Sequence, residues 1–270
     1  MGPTIVLITG ANRGIGKGIL ELYLKKPNHF VIAANRDPTH PTSKALADLP
    51  TAEGTTLEII KIDALSPTGP AAAVRAIGAN GTPHIDILVA NAGIGLSWPK
   101  VSDVKVEDIQ KHIDVNVYGF IHLYQAFRPL LKKAKAPKWV TIGSSSAFLT
   151  CPVNTSPILL SRSHLDRDVN ENFIPMQNAA YAPTKAVQHW YTKAISVEDS
   201  WLNAFPVDPG TENSWVQTDL GNRGADAFGV EKAAITVEDS AAGVVKVIDV
   251  STLKTHSGKL FKFDGSEEPW

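Results

Sequence analysis

Short runs of β-branched and aliphatic residues alternate along the chain with longer stretches whose apolar positions recur at helical period. The short runs are Thr4 to Thr9, Phe30 to Ala34, Leu57 to Ile62, Ile85 to Ala90, Trp139 to Ile142, Asn203 to Val207 and Lys259 to Phe263. Alternation of this kind marks parallel βαβ units, so the seven runs predict an α/β protein with a doubly wound parallel seven-stranded sheet covered by helices on both faces. The longest helix is expected between Val104 and Lys133. There Ile109, Ile113, Val117, Phe120, Tyr124, Phe127 and Leu131 recur at spacings of three and four and turn one face to the core. No repeat, low-complexity tract or linker divides the chain, and 270 residues suit one large core better than two. The reading is a single domain, 1–270, with an atypical insertion at about 150–177.

Composition narrows the function classes. A net charge of -1 and a pI near 6.7 supply no basic field for a nucleic-acid backbone. The single cysteine, Cys151, excludes an intrachain disulfide framework and fits a reducing compartment. Pro3 to Thr9 is too short for a secretory or membrane-spanning segment, and no basic region precedes it. The expectation is a cytoplasmic protein with no nucleic-acid, membrane or metal partner. Met1-Gly2 opens like a myristoylation signal, but Val6 stands where that motif takes Ser or Thr. Sequons at Asn80 and Asn154 read as chance matches.

Two stretches carry candidate chemistry. After the first strand comes TGANRGIG, Thr9 to Gly16, running into the apolar and basic stretch Ile19 to Lys26. A glycine-rich turn between strand and helix lets the backbone approach a pyrophosphate, whose charge meets free N–H groups and the helix dipole. A tight βα turn is the plainer alternative for one glycine motif. Further on, Tyr181 and Lys185 sit four apart in the helical run Ala179 to Trp201, which places both side chains on one face. A free tyrosine has a pKa of about 10, so acid/base work near neutrality requires a cation to stabilise the phenolate. Alone, the pair reads better as an amphipathic helix with a snorkelling lysine.

Taken together and in order, these motifs resemble the short-chain dehydrogenase/reductase family, whose fold is Rossmann-like. The spacing of Gly10 and Gly14 is that of its compact members. The resemblance implies a nicotinamide-dependent oxidoreductase acting reversibly on carbonyl or alcohol groups, with hydride passing between the nicotinamide and the substrate carbon. It assigns Gly10, Asn12, Arg13, Gly14, Ile15 and Gly16 to the phosphate loop, and Asp63 to the adenine. Asn91, Ala92 and Gly93 match the family's NAG motif. Tyr181 is then the proton donor, Ser144 the group that holds the substrate oxygen, and Lys185 the cation that also binds the nicotinamide ribose. Asn116 completes the tetrad through a water, or else fixes a helix kink. Ser145 and Ser146 are rivals for the serine role, and the register from Val140 favours Ser144. Pro209-Gly210 resembles the family's turn after the sixth strand, with Val216 and Thr218 toward the nicotinamide.

At the end of the second strand, Asn35-Arg36 stands where an NAD enzyme carries an acidic residue, so a 2′-phosphate paired with Arg36 and Arg13 is expected. NADP(H) is preferred over NAD(H) on this reading, unless Asp37 moves in to bind the ribose hydroxyl. TGANRGIG, the stretch Asn178 to Tyr181 and Trp215 to Asp219 are most similar to the norsolorinic-acid-ketoreductase-like and C-factor-like carbonyl reductases. Trp98, Phe148 and Trp215 hint at an apolar or aromatic substrate, or are core packing. Relatives commonly pair through their two long helices, which makes a homo-oligomer a candidate. A catalytically weak or inactive NADP(H)-binding regulator on the same fold is the rival function, against which the complete tetrad argues.

The chain departs from the family in two places. Between Ser144 and Tyr181 lie 36 residues, more than relatives carry, including the apolar Ile158 to Leu160 and the charged Asp166 to Asn172. Thr211 to Ser214 separates the Pro-Gly turn from Trp215. Both excesses form a lid over the site, are disordered, or mark a damaged site.

Overall fold

The computed structural model describes residues 2–148, 177–210 and 215–270. Its strands are β1 Thr4–Thr9, β2 His29–Asn35, β3 Thr56–Lys61, β4 Ile87–Ala90, β5 Lys138–Ile142, β6 Asn203–Asp208, β7 Leu260–Lys262 and β8 Glu267–Glu268. They lie in the order β3-β2-β1-β4-β5-β6-β7-β8. All seven predicted strands are present and parallel. The sheet is nevertheless eight-stranded rather than seven-stranded, because β8 pairs antiparallel with β7 through Leu260↔Glu268 and Phe261↔Glu267. Two adjacent glutamates carry no apolar alternation, so this strand had no signal in the sequence. Ion pairs Lys259–Glu267 and Lys262–Glu268, both 2.8 Å, hold it in place.

Burial on both faces explains the continuous apolar runs. Along β1, Val6 and Ile8 join Ile19, Leu20, Val244 and Ile248 in one layer. Their neighbours Ile5 and Leu7 join Phe120, Phe127, Trp139 and Ile195 in the other. The first layer contains helices α1 (Gly14–Leu24) and α7 (Val237–Val250). The second contains α2 (Gly69–Ala79), α4 (Gly119–Leu131) and α5 (Ala182–Glu198). A shorter α6 (Asp219–Ala227) follows β6.

The predicted long helix is built from three pieces: α3 (Val106–Ile113), a π turn over Asp114–Tyr118, and α4. A π turn shifts the hydrogen-bond ladder by one residue, and such turns often lie at functional sites. Here it carries Asn116.

Strand order reverses beside β1, between β2 and β4, which opens a crevice at the carboxyl ends of these strands. Helix α1 approaches that crevice so closely that a Cβ on Gly16 would overlap the Gly10 carbonyl and the Asn91 amide. Gly16→Ala is expected to destabilise the protein by about 1–3 kcal/mol through overpacking. Urea unfolding monitored by circular dichroism measures this, and an unchanged midpoint would refute the close approach.

Candidate active site

The floor of the crevice is stitched together by short polar side chains. Thr9 Oγ1 accepts the N–H groups of Asn91 and Ala92 at 3.0 and 2.9 Å, while Asn91 Nδ2 donates to Thr9 O at 2.8 Å. These bonds join the ends of β1 and β4, and Asn91 therefore acts through the backbone of the phosphate loop. Gly10 and Gly14 have φ of 63° and 54°, a region costly for any residue with a Cβ. Thr218 closes on this loop: a Cβ on Gly14 would meet Thr218 Cγ2 at 3.1 Å. The result is a backbone cradle that only glycine leaves open, which fits a dinucleotide pyrophosphate. Ile15 packs on the core beneath it.

Around the cradle the predicted residues divide. Asn12 Nδ2 donates to Thr42 Oγ1 at 2.7 Å, and Arg13 pairs with Asp219 at 3.1 Å across the crevice mouth, both exposed. Asn35 is buried with neither amide atom partnered, whereas its neighbour Arg36 is exposed. The Asp37 carboxylate is turned away into its own loop, accepting Thr39 N–H at 2.8 Å and Thr39 Oγ1–H at 2.7 Å. Asp63 caps a turn through Leu65 N–H. Gly93 lies against Asn116, where a Cβ would come 3.2 Å from Oδ1. Beyond β6, Pro209 O accepts from Ser240 Oγ at 2.6 Å, Gly210 N–H donates to Asp208, and Val216 bridges to Ile235. Thr218 Oγ1 caps α6 by accepting Gly221 N–H at 2.9 Å.

The residues predicted to be catalytic converge from three elements. Tyr181 is the N-cap of α5, and Lys185 and His189 follow at one-turn intervals on the same face. Ser144 leaves β5 in an extended conformation (φ -167°) and caps a short turn, Ser145–Ala147. Its hydroxyl is paired with Ser146 Oγ at 2.6 Å and draws the Tyr181 phenol's pKa downward. Of the three serines, Ser144 is the one that acts on the Tyr181 phenol. Lys185 Nζ donates to Ile142 O at 2.8 Å. Asn116 braces rather than faces the crevice: its side chain accepts Ile94 N–H at 2.8 Å and donates to Ile94 O and Thr184 Oγ1. Its backbone carbonyl, exposed by the π turn, accepts from Gln188 Nε2 at 2.7 Å. A carbonyl keeps a second lone pair for a water.

Burial dominates the electrostatics. The Tyr181 phenol is pushed well above its ordinary pKa by desolvation, with the Ser144 hydroxyl pulling the other way and buried Asp208 adding to the rise. Lys185 is pushed down to about 8 by burial, against the attraction of Asp208. In the cofactor-free protein, burial therefore outweighs the neighbouring groups at Tyr181. Asp208 is itself raised by burial, although it accepts the N–H groups of Ser145 and Gly210 at 2.7 and 3.0 Å.

Three further buried residues shape the site: Asp208, which lies beside the Pro-Gly turn motif, and His112 and His189, which no motif announced. His112 packs edge-on against the Tyr181 ring, accepts Leu96 N–H on Nε2 at 3.0 Å and donates from Nδ1 to Asp108 O at 2.6 Å. His189 Nε2 accepts Ser144 N–H at 3.3 Å, and Asp208 holds the next amide. A Cβ on Gly143 would stand 2.5 Å from that same His189 nitrogen. The one signal available was helical spacing: His189 is four residues beyond Lys185. Of the suggested aromatic wall, Phe148 is buried near His189 and Trp215 stacks on Phe228, so both have packing roles. The insertion at about 150–177, apart from Gln177, and Thr211 to Ser214 lie outside the described residues.

A doubly wound sheet, a glycine cradle at its switch point and a Ser-Tyr-Lys set beside it define a dinucleotide-dependent oxidoreductase, as the motifs implied. Residues 4–156 match the short chain dehydrogenase family, and the chain belongs to that family. It is 38% identical over 271 residues to short-chain dehydrogenase srdF of Neurospora crassa, spanning 99% of this chain and 98% of that protein. It is 35% identical over 269 residues to norsolorinic acid ketoreductase of Dothistroma septosporum, spanning 99% of this chain and 92% of that one. The structure of NADPH-bound carbonyl reductase from chicken fatty liver shares the fold, with a TM-score of 0.77 and 24% identity over all of both chains. Among the described residues, no helix is long and apolar enough to cross a membrane.

Burial of the Lys185 charge makes the stability of the cofactor-free protein depend on pH. The lysine's folded pKa of about 8 lies below its unfolded value, so below pH 8 the buried charge is a cost, removed as pH rises from about 8 toward 10.5. Lys185→Met is expected to stabilise the cofactor-free protein at pH 7 by up to about 3 kcal/mol, a gain that disappears toward pH 10.5. Chemical denaturation at several pH values reads this directly, and a pH-independent difference would contradict the buried charge.

Proposed function

We propose that the protein is an NADPH-dependent carbonyl reductase, reversible to alcohol oxidation, with Tyr181 as general acid/base. One observation carries the reading: the buried Tyr181 phenol and the Ser144 hydroxyl adjoin each other, one helical turn from Lys185. A bound nicotinamide supplies the hydride. Ser144 donates a hydrogen bond to the substrate oxygen and holds it beside the phenol, and Tyr181 passes its proton to that oxygen as negative charge develops there. Lys185 supplies the compensating positive charge and binds the nicotinamide ribose. Arg36, exposed at the end of β2, pairs with the 2′-phosphate, with Arg13 released from Asp219 as the second cation. Asp37, occupied by Thr39, leaves the NAD-type ribose contact unfilled.

The similarity to norsolorinic acid ketoreductases favours an aromatic ketone as substrate. Pairing of two copies through the long helices is supported by exposed Tyr118, Val187, Trp190 and Val197. The lone cysteine supports a cytoplasmic location.

The test is NADPH oxidation screened across ketones, quinones and polyketide-like aromatics. Tyr181→Phe is expected to lower turnover by about 10² to 10⁴-fold with NADPH binding nearly unchanged, since one hydroxyl is lost and no volume. Activity close to native in this variant would remove Tyr181 from the acid/base role. Arg36→Ala is expected to weaken NADPH about ten- to hundredfold and leave NADH unaffected, read as dissociation constants by fluorescence titration. Equal affinities of the native protein for the two cofactors would overturn the NADP(H) assignment.

A further inference from the structure

The serine turn is held by its backbone. Ser144 donates its N–H to His189 Nε2 at 3.3 Å, and Ser145 donates its own to Asp208 Oδ2 at 2.7 Å. Two consecutive amides thus end on two buried side chains, His189 from α5 and Asp208 from the end of β6. The histidine is the informative one, because it shares a helix with the proton donor. Tyr181, Lys185 and His189 stand in one column at i, i+4 and i+8.

An imidazole can take an amide N–H only on an unprotonated nitrogen, so the contact fixes the neutral ring with its proton on Nδ1. The surroundings enforce that form. His189 is 5% exposed, and burial together with the Lys185 ammonium holds its pKa down to about 3. Lys185 is the charge that acts on the ring from its own helix. Phe148 and Trp270 lie beside the ring, at centroid distances of 6.4 and 6.3 Å. Gly143 supplies the space into which the ring reaches.

We propose that His189 is a positioning residue that sets Ser144 against Tyr181, so that a single helix fixes both hydroxyl groups meeting the substrate oxygen. Ser144 sits on a different element from Tyr181, and any slack between β5 and α5 would change the separation of the two hydroxyls. The bond from Ser144 N–H to His189 refers the serine to the helix that carries the tyrosine. Misplacement by about 1 Å in such a pair can cost 10²-fold in rate, which is the scale on which the clamp matters. The inference rests on the reductase reading only for its kinetic arm, since the clamp itself exists in the cofactor-free protein.

The experiment compares His189→Leu, which removes the acceptor, with His189→Gln, whose side-chain carbonyl reaches about as far as Nε2. In the cofactor-free full chain, hydrogen exchange of the Ser144 amide is expected to speed up about tenfold or more in the leucine variant, and to stay near native in the glutamine variant. With NADPH and phenanthrenequinone as the probe pair, the leucine variant should lose about tenfold or more in kcat, with KM and NADPH affinity within about twofold. Glutamine should restore most of the loss. In a Ser144→Ala background the leucine substitution should cost nothing further, because the group it positions is gone.

Unchanged Ser144 exchange in the leucine variant would overturn the proposal, as would an equal leucine penalty with and without the serine hydroxyl. Loss of kcat in both variants with slow exchange retained would also overturn it, assigning His189 to packing. If the native protein reduces no carbonyl, the reductase reading fails, and amide exchange still decides whether the clamp exists.

Discussion

A buried polar atom seldom goes without a partner, and helix α5 buries a whole stripe of polar side chains. Thr184, Lys185, Gln188, His189 and Thr192 all face inward, and each makes a hydrogen bond to another element, although Gln188 Oε1 has no partner among the described residues. Asn116 answers Thr184, Ile142 O answers Lys185, and the Asn116 carbonyl answers Gln188. Ser144 N–H answers His189, and Thr141 Oγ1 answers Thr192 at 2.7 Å. Together these bonds fix α5 against β5, the serine turn and the π turn at once. Slipping the helix by one residue would strand several polar groups at a cost of about 1–3 kcal/mol each. The geometry of the catalytic set follows from this constraint.

The same burial decides which protonation state waits in the site. Desolvation keeps the Tyr181 phenol neutral and weakens the lysine's hold on its proton. A neutral phenol is the form that donates, which is where carbonyl reduction begins. Alcohol oxidation would begin from the phenolate, the form that burial disfavours. On the proposed reading, the cofactor-free site therefore holds the phenol in the protonation state that reduction requires. Asp208 works within this balance by favouring the lysine charge while disfavouring the phenolate.

Much of this was legible in the sequence. The seven parallel strands, the glycine cradle and the spacing of Tyr181 and Lys185 all follow from local pattern, because each is specified by residues close together in the chain. What escaped was long-range or compositionally silent. Strand β8 consists of two glutamates and exists only because β7 leaves an edge to pair with. The π turn is invisible within a stretch of uninterrupted helical period. His112, His189 and Asp208 gain their roles from backbone amides distant in sequence, and a lone histidine on a helix announces nothing of that. The sequence did identify Asn116, as a tetrad member acting through a water or as the residue fixing a helix kink; the structure places it in the π turn, with its side chain bracing Ile94 and Thr184.

Gly143 and His189 occupy one volume between them. A methyl group at 143 would lie 2.5 Å from the imidazole nitrogen, so neither position is free to drift alone. What one position can carry is therefore limited by what occupies the other. A side chain at 143 becomes admissible only after the ring at 189 has been exchanged for something smaller, and that exchange releases the serine amide.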